Sequence, residues 1–137
     1  KMKLSAKERN MFVLFMTENS CCWICGWQRG KKNPVSKEIW SAPLSLENHH
    51  IVGGSGRKHV RQNIARLCSI CHRVFHGDVI RITKEFVLPN ITIANILYAK
   101  RSMDEKWYDV SVLNKLAIGI MPEPVRPDSY YDNNQRW

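Results

Sequence analysis

The sequence predicts a small α+β domain in which two short strands lead directly into a helix, with further helices on either side. Its 137 residues suit one domain with a single modest hydrophobic core. Strand-like stretches at 44–51 and 64–67 enclose a glycine-rich, basic loop at 53–61. A helical stretch at 69–76 follows the second strand at once, and Gly77 is well placed to end it.

Helix signals also occur before this core. Ser5 and Glu8 have the spacing of a capping box, so a helix should begin there and run to about Glu18. Its apolar residues favour core packing, and we expect Met11, Leu14 and Phe15 to share the buried face.

The C-terminal part carries weaker signals. Residues 79–87 favour a strand, residues 91–100 a helix, and Asp109 is a candidate N-cap for another helix ending near Ala117. Prolines at 122, 124 and 127 indicate an extended tail. We expect one domain spanning the whole chain, 1–137, divided into an N-terminal helix at about 5–19, a core at about 20–78, and a helical extension and tail at about 79–137.

The net charge indicates a polyanionic partner. Lysine and arginine outnumber acidic residues to give a formal charge of +9, which favours nucleic acid first and an anionic membrane surface second. A soluble protein that is merely basic is the alternative. No apolar stretch approaches the ~20 residues of a membrane span, and no secretory signal is visible. We therefore expect a cytoplasmic protein that does not enter the membrane.

Five cysteines include two C-x-x-C pairs, Cys22/Cys25 and Cys68/Cys71, separated by 42 residues. Each pair can supply two corners of a tetrahedron, so together they predict a closed, structural zinc site. Cys21 adjoins Cys22, but only Cys22 has the spacing of the second pair. Ordinary buried cysteines or a redox pair are the alternatives.

All five histidines lie between positions 49 and 76. His49 and His50 are adjacent at a strand end, so their side chains should point to opposite sides. His72 and His76 are one helical turn apart and face the same way. With His49 they would form a three-nitrogen metal site that leaves positions open for water and phosphate. Structural histidines, or a second structural zinc shared by cysteine and histidine ligands, are the alternatives.

The stretches Leu46–Ile51 and Asn63–His72, together with His76, resemble the HNH endonuclease motif. The C-x-x-C pairs resemble those of the zinc-containing branch of that superfamily, which is common in bacteria and their phages. This resemblance implies a ββα-metal (HNH) core with a structural zinc. It also implies a metal-dependent DNA endonuclease that leaves 5′-phosphate and 3′-hydroxyl ends, working in a bacterial or phage-infected cell.

The resemblance also implies residue roles. His50 would be the general base, Asn63 would orient or constrain His50 by hydrogen bonding, and His49, His72 and His76 would hold the catalytic ion. A histidine with a pKa near 6.5 suits the base at neutral pH. Many family members have aspartate where this chain has His49. The histidine at this position resembles the three-histidine arrangement of the colicin nucleases. We expect Mg²⁺ or Mn²⁺, with Ni²⁺, Co²⁺ or Zn²⁺ also able to serve.

Basic residues near these histidines are candidates for phosphate contacts, which give salt-dependent affinity with little sequence information. Arg57 is the first choice, because the adjoining glycines let the backbone approach a phosphate closely. His59 is expected to be a loop residue and not a ligand. The full expected DNA-binding set is Arg57, Lys58, Arg61, Arg66 and Arg73.

Two other functions remain open on the sequence alone. A non-catalytic zinc-binding DNA module needs the cysteines but has no use for His50, His72 and His76 together. A toxin-like RNA or DNA nuclease is compatible with a three-histidine site. We expect no small-molecule ligand, and both a monomer and a homodimer fit the sequence.

Overall fold

The computed structural model describes residues 3–29, 45–54, 57–81 and 87–128. Within these residues the chain is a small α+β protein, as expected, with four α-helices and one two-stranded antiparallel sheet. No described helix combines the length and the apolar character needed to cross a membrane. The elements in chain order are α1 (Ala6–Glu18), β1 (Leu46–His50), β2 (Ile64–Cys68), α2 (Ser69–Phe75), α3 (Ile93–Met103) and α4 (Val110–Ala117).

Helix α1 begins where the capping box predicts. The Ser5 hydroxyl accepts from the Glu8 amide at 3.1 Å, and the Glu8 carboxylate accepts from the Ser5 amide at 2.9 Å. Phe15 is fully buried and Met11 packs partly against the core, but Leu14 is 52% exposed. The expectation that Leu14 belongs to the buried face was therefore wrong. Apolar residues occupy nearly every position from 11 to 16, so their spacing does not select one face.

Strands β1 and β2 form the antiparallel ladder that carries the candidate site, with His49 opposite Ala65 and His50 opposite Ile64. The expected strand at 44–51 is observed as Leu46–His50, and residue 44 lies outside the described residues. Helix α2 follows β2 without a loop because the Cys68 thiol caps it, accepting from the Cys71 amide at 3.4 Å. It ends at Phe75, and Gly77, just beyond the C-cap residue His76, has a φ of 99°, the left-handed conformation that glycine adopts readily.

The C-terminal helices lie close to their expected positions. Helix α3 begins two residues later than expected because Thr92 caps it. The side-chain oxygen of Asn95 accepts from the Thr92 amide at 2.9 Å, the reciprocal role that Glu or Gln usually has. Helix α4 is capped by Asp109 and ends at Ala117, as expected. The expected strand at 79–87 is seen only as an isolated bridge between Arg81 and Val87, and residues 82–86 lie outside the described part. Residues 121–128 have no regular structure, and the remainder of the tail is likewise outside it.

A buried network of charges joins α1, α3 and the turn before β2. Lys100 is fully buried and donates to the carbonyl oxygens of Arg61 and Ile64 at 2.6 and 3.0 Å, and to Asp104 at 2.8 Å. Arg61 donates to the same carboxylate at 2.8 Å and pairs with Glu18 at 2.6 Å. Because each buried cation has a carboxylate partner, the desolvation cost of this network is offset. The network holds the start of β2, and with it the candidate site, against the helices.

Candidate functional site

The four cysteines of the C-x-x-C pairs lie together in the interior. The sulfur atoms of Cys22, Cys25, Cys68 and Cys71 are all within 4.8 Å of one another, and each residue is at most 1% exposed. Cys21 is partly exposed and is not in the cluster, so the choice of Cys22 on spacing was right. Four thiols at these separations could hold a metal ion, and the set is the one that zinc prefers in structural sites.

Local backbone geometry brings the thiols of each pair to one side. Gly26 has a φ of 83°, and its amide donates to the Cys22 carbonyl at 3.0 Å, which closes the turn that carries Cys22 and Cys25. The Trp23 amide donates to the Arg66 carbonyl at 2.9 Å, so this turn is fastened to β2. The cluster therefore joins the segment after α1 to the junction between β2 and α2.

The protonation of the thiols also suits a cation. Burial acts to raise the pKa of Cys22, but hydrogen bonds from the other three thiols lower it well below its ordinary value. The pKa of Cys71 is raised, first by burial and then by its thiol neighbours. Thus one thiolate is stabilised at the expense of its neighbours. A bound cation would compensate the charge of further thiolates in so small a buried volume.

A second cluster contains three histidines that β1 and α2 bring together. The ligand nitrogens of His49, His72 and His76 are all within 4.8 Å of one another, and Nδ1 of His49 lies 3.0 Å from Nε2 of His72. His72 and His76 occupy successive turns at the end of α2, as their spacing predicts. His49 is buried, His72 is half-buried and His76 is exposed, so the cluster is open to solvent on one side.

Glu47 orients one of these histidines, and sequence reasoning missed it. Its Oε1 lies 2.6 Å from Nδ1 of His72, and its Oε2 accepts from the Ser45 hydroxyl at 3.1 Å. A proton on Nδ1 of His72 leaves Nε2 with a lone pair directed at the cluster. Glu47 is two residues before His49 on β1, so the alternation of a strand was the signal that could have placed both on one face.

The histidine cluster fits a divalent ion. Burial, together with the close approach of the other imidazoles of the cluster and of His50, lowers the pKa of His49 to about 3, so the imidazole of His49 is neutral at neutral pH. Nε2 of His49 is buried and has no hydrogen-bond partner among the described residues, which is unusual for a polar atom in a folded protein. Three imidazole groups whose ring nitrogens lie within 4.8 Å of one another are a donor set that zinc, nickel, cobalt and manganese accept.

His50 points away from this cluster, as strand alternation predicts, and meets another histidine. Its Nε2 lies 3.0 Å from Nδ1 of His59, and the two ring centroids are 5.0 Å apart. They line a cleft of about 610 Å³ whose other wall is α1. Burial, Arg57 and His59 lower the pKa of His50 to about 4. That value differs from the expected 6.5, because the ring is desolvated and faces positive charge.

Asn63 is fully buried, and its hydrogen bonds run to the backbone of the loop between the strands. Its Nδ2 donates to the carbonyl oxygens of Val52 and Lys58 at 3.0 and 3.2 Å, and its Oδ1 accepts from the Val52 amide at 2.8 Å. The expectation of a hydrogen bond that orients His50 is thus modified. In the described structure Asn63 fixes the backbone on either side of the loop, and any effect on His50 passes through it.

Two of the five expected DNA contacts are buried, so they correct the sequence-based expectation. Arg61 is 5% exposed and is engaged by Glu18 and Asp104. Arg66 is 6% exposed and donates to the carbonyl oxygens of Asn19 and Leu46. Neither guanidinium group is placed to reach a phosphate.

The other three basic residues lie on the surface. Arg57 and Lys58 are exposed in the loop after β1, and Arg57 lines the cleft that contains His50. Arg73 is exposed on α2, where it pairs with Asp78 at 2.8 Å. Arg57 therefore lies beside His50, and Arg73 lines the cleft that contains His72 and His76.

We compared the chain with known protein families, curated proteins and solved structures. No protein-family model, no curated protein and no solved structure matches this chain. Its function is therefore argued from the two clusters and their surroundings.

Proposed function

We propose that this protein is a metal-dependent DNA endonuclease of the HNH type, with β1, β2 and α2 as its ββα-metal core. The observation that carries the proposal is the arrangement at the end of β1. His49 joins His72 and His76 in a solvent-open cluster of three nitrogens, while the next residue, His50, presents an imidazole on the opposite side of the strand. An open metal position beside a potential base is the arrangement that phosphodiester hydrolysis requires.

The chemistry divides between the ion and the side chains. A divalent ion at the cluster would polarise a phosphate oxygen and stabilise the leaving 3′ oxygen. His50 accepts a proton from the water whose oxygen attacks phosphorus, and the bond from phosphorus to the 3′ oxygen breaks. Consecutive Cα atoms are ~3.8 Å apart, so the two imidazoles leave the backbone at neighbouring positions at the end of β1, and the phosphodiester would lie across that end of the strand.

The four-thiol cluster would hold a structural zinc. It offers four buried sulfurs and leaves no coordination position for a substrate. Cys71 directly precedes His72 on α2, so the zinc would fix the helix that supplies two ligands of the catalytic ion. Its role is to support the site, and it takes no part in bond cleavage.

The substrate would be held through its phosphates. The net charge of +9 favours a polyanion. The exposed Arg57 lines the cleft that contains His50, and the exposed Lys58 follows it in the chain. Contacts of this kind position the backbone without reading its bases. We therefore expect cleavage of duplex DNA with an affinity that falls steeply as salt rises.

Supercoiled plasmid, incubated with the full chain and Mg²⁺ or Mn²⁺, tests the proposal. We expect nicked or linear product, and a loss of about 100-fold or more in rate for His50→Ala, the usual contribution of a general base. Lys115→Ala, which removes an exposed cation on α4, is the control and should cleave like the wild type.

Metal analysis of the same preparations separates the proposal from a non-catalytic zinc module. The nuclease should contain one tightly bound zinc and a second, exchangeable ion, and His50→Ala should keep both. Wild-type cleavage by His50→Ala would refute the assignment of the base. One tight zinc, no second ion and no cleavage would favour the non-catalytic module.

A further inference from the structure

We propose that His59 is a positioning residue that holds the imidazole of His50 in its reactive tautomer and orientation. This inference rests on the proposed function, because it assigns a role toward the base of that reaction. The contact that carries it is the 3.0 Å approach between Nε2 of His50 and Nδ1 of His59. A bond of this length joins one N–H donor to one nitrogen lone pair.

The bond has a productive direction. When the Nε2–H group of His50 donates a hydrogen bond to Nδ1 of His59, Nδ1 of His50 carries a lone pair and can accept a proton from water. As that proton arrives, His50 becomes an imidazolium and its Nε2–H bond to Nδ1 of His59 strengthens, since the donor is now charged. The water oxygen bonds to phosphorus, the 3′ oxygen departs with the electron pair of its bond, and solvent protonates it. His59 neither gains nor loses a proton in this step.

The surroundings of His59 hold its ring in place. The ring meets Phe12 of α1 edge-on, with centroids 5.6 Å apart and an interplanar angle of 64°. This is a favourable aromatic arrangement. The preceding residue, Lys58, accepts through its carbonyl oxygen from Nδ2 of the fully buried Asn63 at 3.2 Å. His59 is thus fixed from two sides, by a helix packed on the core and by a buried amide.

This arrangement gives Asn63 an indirect route to the base. Asn63 fixes the loop at Val52 and Lys58, the loop presents His59, and His59 contacts His50. The side chain of α1 that takes part, Phe12, lies far from the histidines in sequence. The positioning therefore depends on tertiary structure, and spacing along the chain does not reveal it.

Two substitutions of His59 distinguish hydrogen bonding from packing. His59→Asn keeps an acceptor, because an asparagine Oδ1 lies where Nδ1 of histidine lies. His59→Leu keeps comparable bulk against Phe12 but has no acceptor. In the plasmid assay we expect His59→Leu to lower kcat by roughly 10- to 100-fold with KM nearly unchanged, the scale of losing an orienting partner. His59→Asn should recover most of that loss.

A second readout is independent of cleavage. Long-range proton–nitrogen correlation spectra of the ¹⁵N-labelled, zinc-loaded full chain report which ring nitrogen of each histidine carries the proton. We expect His50 to be protonated at Nε2 in the wild type and in His59→Asn, and to be a mixture of tautomers in His59→Leu. Circular dichroism and zinc content verify that both variants are folded.

The outcomes separate this inference from the proposed function. Equal kcat for His59→Leu and the wild type, or an unchanged His50 tautomer in that variant, overturns the role of His59. If the wild-type protein cleaves nothing while the tautomer still responds to His59→Leu, the contact stands and the nuclease proposal fails. If His59→Asn is as impaired as His59→Leu although folded, hydrogen bonding is not the reason and the inference is wrong.

Discussion

Arg57→Ala and Arg66→Ala should have opposite effects, although both residues were candidate DNA contacts on the sequence alone. Arg66 is buried, and its guanidinium donates to Asn19 at 3.0 Å, to Leu46 at 3.3 Å and to the Asn48 side chain at 2.8 Å. These bonds join the end of α1 to β1. Arg57 is exposed and lines the cleft beside His50.

The magnitudes follow from these surroundings. A hydrogen bond from a charged donor contributes about 1.5–3 kcal/mol, and buried acceptors left without a donor add a penalty. Water will replace part of the loss at the partly buried Asn48 acceptor, so Arg66→Ala should lower the free energy of unfolding by about 3 kcal/mol. Arg57→Ala should change it by no more than about 0.5 kcal/mol, as is usual for a surface position.

DNA binding should respond in the reverse order. In a His50→Ala background, which prevents cleavage, fluorescence anisotropy of a labelled duplex gives the association constant at several salt concentrations. Loss of one phosphate contact should reduce the slope of log K against log salt by about 0.9. We expect that reduction for Arg57→Ala, and an unchanged slope for Arg66→Ala under conditions where it is folded.

Urea unfolding and the salt series together can refute this reasoning. If Arg66→Ala unfolds like the wild type and loses one unit of slope, the guanidinium contacts phosphate and its buried bonds are unimportant. If Arg57→Ala leaves the slope intact, the loop after β1 does not contact the DNA backbone. Lys115→Ala, an exposed cation on a different helix, should leave both quantities unchanged.

Three further predictions concern the metal clusters and the buried charges. Cys71→Ser should lose the tightly bound zinc and most of the folded population, because structural zinc contributes about 10–16 kcal/mol in small domains. Cys21→Ser should keep its zinc and its fold, as measured by metal analysis and circular dichroism. Glu47→Gln should lower the affinity for the exchangeable ion by roughly 10- to 100-fold in a competition titration, since it removes the charged partner of His72. The zinc content of the thiol cluster should be unaffected. Asp104→Ala should lower the free energy of unfolding by about 3 kcal/mol in urea, because it leaves two buried cations short of a carboxylate.

Features with local signals could be predicted from the sequence. The capping box of Ser5, the cap at Asp109 and the glycine after α2 mark helix ends, because the groups that satisfy those ends lie within a few residues. The C-x-x-C pairs and the spacing of His72 and His76 are local in the same sense. In each case the geometry of one turn determines which atoms come together.

The features that sequence reasoning missed depend on contacts between distant segments. Arg61 and Arg66, like Arg57, are basic residues close to the histidines in sequence. Arg61, however, faces Asp104, 43 residues away, and Arg66 faces the end of α1. His59 contacts both His50 and Phe12, and Phe12 lies on α1, far away in sequence. A basic residue next to a site is thus as able to support the fold as to bind the substrate, and burial decides which.

The two sides of the site have separate supports, and this separation has a consequence. Helix α2 has seven residues, far fewer than the ~12–15 at which an isolated helix becomes even marginally stable. The positions of His72 and His76 therefore depend on the thiol cluster at the start of the helix. The position of His50 depends instead on the support that Asn63, Phe12 and the loop give to His59. Damage to the thiol cluster should therefore abolish binding of the exchangeable ion and cleavage together. Damage to the loop should lower cleavage while the ion stays bound, and a metal titration beside the plasmid assay distinguishes the two.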